Sequence, residues 1–203
     1  MKLKKTKKTE HTIETNEQIC EKYQKFFTES SIRQMQNCEK FFANKEVRKI
    51  ILDEFKYKDA DPIDALHIAC CQIMIAIANA DDNFSKEEED LIYQVTGIDV
   101  DPEKAKNFAC NYFVNGEGVP LIVGYACFIE QYYLRTEGRE TNAVRGVELL
   151  FERIISATAG ADGKHSILET LCRFGVTKGI KKFLEDYRRT KKAGYLVWAF
   201  GVQ

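Results

Sequence analysis

A chain of 203 residues with 44% hydrophobic and 30% charged side chains and only three prolines has the composition of a soluble, mostly helical globule, long enough to bury a real core. Its net charge of −1 conceals basic ends, with five lysines in residues 1–8 and seven basic residues in 178–192; the body between and around them carries 18 basic against 29 acidic residues. That acidic body argues against nucleic acid as the main ligand, and seven cysteines without a Cys-x-x-Cys pair argue against a disulfide framework and for a reducing, cytoplasmic setting.

In chain order, residues 1–15 read as a disordered basic tail. No apolar core follows its lysines, so it is not a secretory signal, but it is a candidate for touching a membrane surface or RNA. Residues 17–27 and 31–57 read as amphipathic helices with Ile32, Met35, Phe41, Phe42, Val47, Ile50, Ile51 and Phe55 facing a core. Asp61-Pro62 is a helix start, Asp at the N-cap and Pro at the first helical position. The helix expected over 63–80 is apolar almost all round, which suits the centre of a bundle. Ser85 caps the next helix, ending near Gly97, and Asp101-Pro102-Glu103 opens another. A turn at 115–118 precedes an apolar segment from Pro120 to Leu134, in which Leu121-Ile122-Val123 fits helix or strand and which is too short to span a bilayer. A second central helix is expected over 142–161, then a helix capped by Ser166 and running to Val176, a basic helix near 178–192 and an apolar end at 195–200. The expected organisation is a basic tail (1–15), an N-terminal helical extension (16–60) and an all-α bundle (61–203).

Two stretches 81 residues apart share one pattern. Ala80-Asp81-Asp82 and Ala161-Asp162-Gly163 each close an apolar helix; Ser85 and Ser166 follow four residues after the first Asp, and Glu88 and Glu169 seven after. Ser-x-x-Glu is the capping box of a helix start. Each copy therefore reads as an apolar helix, an acidic turn and a newly capped helix.

This doubled pattern resembles the tellurite-resistance TerB-like family, compact helical bundles with two related halves, over about residues 63–178. Asp162, Gly163 and Glu169 match the family's turn and acid in the second copy, and Asp81 and Glu88 in the first, where Asp82 replaces the turn glycine. The resemblance implies a stress-resistance protein whose acids take a divalent cation; with the cysteine usage and the missing catalytic motifs, the expectation is a cytoplasmic, non-enzymatic protein of a bacterial stress-resistance or defence system that works through protein partners.

The residues themselves leave the chemistry open. A carboxylate at a helix C-terminus faces the negative end of the macrodipole, a cost that a donor, a basic partner or a cation offsets. Asp81, Asp82, Glu88, Asp162 and Glu169 would offer oxygen ligands suited to Ca²⁺, Mg²⁺ or Mn²⁺ if the halves pack face to face. The competing reading makes them turn and helix caps in a plain interaction or adaptor module. Asp81 to Glu88 is not an EF-hand loop, since the central glycine is absent and the Glu comes too early. His67, Cys70 and Cys71 share a helix face and, with Cys172 or His165, form a weaker zinc candidate. An enzyme using the paired carboxylates with a metal is the least favoured class, because no P-loop, His-Glu-x-x-His, Gly-x-Ser-x-Gly or dinucleotide fingerprint is present.

Overall fold

The computed structural model describes residues 15–54, 61–103, 105, 119–163 and 167–190. Among them are seven α-helices, one 3₁₀ turn and a helix start at Asp101 with Pro102, Glu103 and Ala105 helical, and no strand occurs, so the fold is the expected all-α bundle. The helices are α1 (Asn16–Phe42), α2 (Lys45–Glu54), α3 (Pro62–Ala78), α4 (Lys86–Thr96), α5 (Val119–Glu137), α6 (Ala143–Thr158) and α7 (Ile167–Thr190); the 3₁₀ turn Asn79–Asp81 continues α3. Residues 1–14 of the basic tail, Phe55, the turn at 115–118, His165, Ser166 and the apolar end at 195–200 lie outside the described residues, while Thr15, expected in the tail, is the N-cap of α1.

The two helices expected at the centre are there. Leu66, Ala69, Cys70, Met74 and Ile77 of α3 and Leu150, Phe151 and Ile154 of α6 are fully buried, and the two helices pack on each other and on α5. Burying each large side chain contributes roughly 1.5–3 kcal/mol. Leu121-Ile122-Val123 is helical, with Ile122 and Val123 inside the core. Residues Pro62–Asp81 are long and apolar enough to cross a bilayer by length and composition, a description that the buried central helix of a bundle also fits.

Local chemistry sets the helix starts. Asp61 Oδ1 accepts the Ile63 N–H at 2.9 Å and its other oxygen pairs with Arg48, tying α2 to the start of α3. Asn142 supplies no side-chain cap to α6. Glu130 on α5 reaches across instead, and its Oε1 accepts the Val144 N–H at 3.0 Å.

Three boundaries differ from the sequence expectation. The polar stretch at 28–31 does not interrupt α1, because Ser31 Oγ donates to the Phe27 carbonyl and the helix continues past it. The break comes at Ala43 and Asn44, where Asn44 Oδ1 accepts the Glu46 and Val47 N–H groups and starts α2. The two helices expected after residue 166 are one helix, α7, which runs through Gly175 and Gly179 with Val176 and Leu184 buried.

The segment read as an extension is also packed into the bundle. α1 lies along α6, with Met35, Cys38 and Phe42 in the core. Gln24 Nε2 donates to the Ala157 carbonyl at 2.8 Å and Gln34 Nε2 to the Gly146 carbonyl at 3.0 Å. Met35→Ala is expected to lower the stability of the whole bundle in urea unfolding by about 2–5 kcal/mol. A loss below about 0.5 kcal/mol would show that α1 is an appendage.

Candidate functional site

The two acidic turns repeat in conformation as well as in sequence. After α3 the Asp82 N–H donates to the Asn79 carbonyl at 3.3 Å, and after α6 the Gly163 N–H donates to the Gly160 carbonyl at 3.2 Å. Asp82 (φ 62°) and Gly163 (φ 73°), equivalent under the 81-residue offset, both take the left-handed conformation. Only glycine adopts it freely, and a short polar side chain such as Asp tolerates it.

The helix after each turn carries its Glu inward. Ser85 is the N-cap of α4: its Oγ accepts the Glu88 N–H at 3.2 Å, while Glu88 Oε2 accepts both the Ser85 N–H and the Ser85 hydroxyl at 2.8 Å. Glu88 also begins the buried face of α4 that continues through Leu91, Ile92 and Val95. Glu169 begins the inner face of α7 in the same register, followed by half-buried Cys172 and buried Val176. The spacing of three, four and seven residues puts Glu88 on the apolar stripe of α4, and Glu169 shares its face of α7 with Cys172 and Val176, three and seven residues on. Glu88 is 2% exposed and Glu169 4%.

These two carboxyls and Asp162 are brought together. Burial first, and the charges of Glu169 and then Asp162 after it, push the Glu88 carboxyl from 4.5 up to about 7 against the Ser85 hydrogen bonds that hold it down. The other two candidate ligands are placed differently. Asp81 Oδ1 accepts the Asn83 N–H at 3.0 Å inside its own turn, and Asp82 is exposed. Neither is among the charges that act on Glu88. Among the described residues no three His, Cys, Asp or Glu side chains are arranged to hold a metal ion.

No family model, curated protein or solved structure matches this chain. The equivalence of the two halves therefore rests on the chain's own internal offset.

One residue at the junction has no sequence signal. The side-chain amide of Asn79 is enclosed with neither atom hydrogen-bonded, a costly state for a polar group. Its turn packs on α7, the helix that carries Glu169. The zinc candidates, by contrast, are engaged separately. His67 Nδ1 donates to the Thr96 carbonyl at 2.6 Å, and its Nε2 lies 2.8 Å from Glu39 Oε1, off the hydrogen-bonding line. Cys172 Sγ donates to the Ala76 carbonyl at 3.2 Å. Burial pushes the Cys71 thiol up to about 12, far from the thiolate that zinc needs.

A groove of about 970 Å³ opens beside the junction, between α1, α4 and the second turn. Glu17, Glu21 and Tyr23 of α1, Glu87 of α4, Asp162 and Arg173 line it.

The Glu88 carboxyl gives the fold a pH dependence with a definite sign. The folded chain holds this proton to about pH 7, and the unfolded chain releases it near 4.5. The native state binds more protons in that window, so the contribution of Glu88 to stability falls as pH rises from 4.5 to 7, by on the order of 3 kcal/mol. Glu88→Gln keeps an acceptor for the Ser85 N–H and cannot ionise. Urea unfolding from pH 4.5 to 8 should show the fall in the native chain and a flatter profile in the variant. Parallel profiles would refute the buried ionisation.

Proposed function

We propose that this chain is a non-enzymatic, TerB-like helical protein of a bacterial stress-resistance or defence system, acting through an acidic site that takes a hard divalent cation or a basic partner group. The observation that carries this reading is the burial of Glu88 and Glu169, equivalent residues of the two halves, within reach of each other's charge and of Asp162. Like charges held together out of water favour the uptake of a proton or a cation. Carboxylate oxygens suit Ca²⁺, Mg²⁺ or Mn²⁺. The enclosed, unbonded amide oxygen of Asn79 adds a neutral oxygen donor on the first turn, against the helix of Glu169. A cation would offset the repulsion between the carboxylates and tie the two halves together.

The second reading, an adaptor module whose acids are structural, has its own support. Ser85 and Glu88 complete a full capping box, and Asp81 is spent on its turn. Both readings share protein partners and the absence of chemistry on a substrate.

Calorimetric titration with Ca²⁺, Mg²⁺ and Mn²⁺ at pH 8 separates them. The cation reading expects saturable binding by at least one ion, a melting temperature that rises with that ion, and loss of both effects in Glu169→Gln. It also expects Asn79→Ala to weaken binding while the cation-free stability holds or rises, because an unsatisfied buried amide is removed. No binding heat and no thermal shift with any of the three ions would leave the adaptor reading.

A further inference from the structure

We propose that the groove between α1, α4 and the second turn is the docking site for a basic amphipathic helix of a partner protein. The inference goes beyond the cation site and rests on residues of which only Asp162 is shared with it. One wall is α1, outside the repeated halves. The α1 residues that line the groove run from Glu17 to Ile32, about 22 Å of helix axis. That length matches a partner helix of about 15 residues laid alongside, and it exceeds what a small molecule would span.

The charge of the lining fits the same occupant. Five carboxylates line the groove against two cations, Lys25 and Arg173, and Lys25 stands 4.0 Å from Glu29 on its own helix. Glu17, Glu21 and Glu87 are exposed and form no ion pair among the described residues. Their charge is therefore available to a lysine or arginine from outside. Between them the groove offers apolar contact: Tyr23 is 62% exposed, with half-buried Phe27 and Ile32 below it. Apolar anchors at i, i+3, i+4 and i+7 would seat on these side chains while flanking basic residues meet the acidic rim.

The probe is a fluorescent 16-residue peptide with leucines at helical a/d spacing and lysines elsewhere, titrated into the full chain by anisotropy at low salt. Exposed Cys20 lines the groove, so its protection from iodoacetamide, read by mass spectrometry of the peptide that contains it, reports where the probe sits. The expected result is saturable one-to-one binding, protection of Cys20, weakening on added salt, and little binding of the analogue with glutamate in place of lysine. Glu17→Gln with Glu21→Gln and Glu87→Gln should weaken the probe roughly tenfold while the circular dichroism and melting temperature stay unchanged. No saturation up to 1 mM, equal affinity for the acidic analogue, or unchanged affinity in the triple variant would overturn the proposal. Binding with Cys20 unprotected would place the probe elsewhere and overturn it as well. So would a chain already dimeric through a protected Cys20, or a synthetic peptide of residues 1–14 that binds as tightly as the probe and protects Cys20, since the occupant would then be a second copy or the chain's own basic end.

Discussion

The junction of the two halves is governed by one constraint: each helix that follows an acidic turn begins its buried face with a glutamate. Glu88 cannot leave the interior without giving up the hydrogen bonds that its carboxylate accepts from the Ser85 N–H and hydroxyl, which complete the cap. It cannot turn outward either, because Leu91, Ile92 and Val95 on the same stripe hold that face inward. Burying those apolar side chains is worth several kcal/mol, comparable to the cost of carrying a carboxyl inside. The core thus forces on the junction a charge that water no longer screens. Glu169 begins the inner face of α7 in the same way, and the two costs meet in one place.

Much of this was legible in the sequence, and the parts that were not have identifiable causes. The repeat announced two central helices, their turns and the equivalence of Glu88 with Glu169, because caps and turn residues act over four or five positions and leave a local signature. The inward direction of Glu88 has a local signature in Leu91, Ile92 and Val95, whereas that of Glu169 has none as clear, since Arg173 stands four residues on and Ile167, Leu168, Leu171 and Phe174 face solvent. The expectation that all five acids gather was coarser than the geometry. The left-handed turn leaves Asp82 exposed, and an Asx contact within the turn occupies Asp81. The course of α1 differs from the expectation at its middle because Thr28, Ser30 and Ser31 favour caps and turns, while Ser31 satisfies its hydroxyl on the preceding turn of the same helix. Nothing local marked the packing of α1 on α6, which depends on Gln24 and Gln34 meeting carbonyls more than a hundred residues away. The groove is a consequence of that packing and has no signature of its own.

The position of α1 also separates two kinds of acid on the same end of the molecule. Glu88 and Glu169 are enclosed, and their charge acts over short range in a poorly screening interior. Glu17, Glu21 and Glu87 stand in solvent, where each is worth little alone and the sum steers an approaching basic surface. Asp162 belongs to both settings, since it lines the groove and acts on Glu88. A basic group seated on Asp162 would ease the repulsion felt at the buried pair, so groove and junction share a charge through which binding at one would be felt at the other.

Proton and cation compete for the same buried charge. With the Glu88 carboxyl raised to about 7, a large fraction of molecules near neutrality satisfy the junction with a proton, which leaves the cap hydrogen bonds from Ser85 in place and removes the repulsion from Glu169. A cation must displace that proton, so its apparent affinity rises with pH up to about 7 and levels above it. The structural and binding readings of the acids then describe two states of one junction. Neutral Glu88 is a cap inside a core; ionised Glu88 beside Glu169 is a charge that the fold holds at a cost until a ligand relieves it.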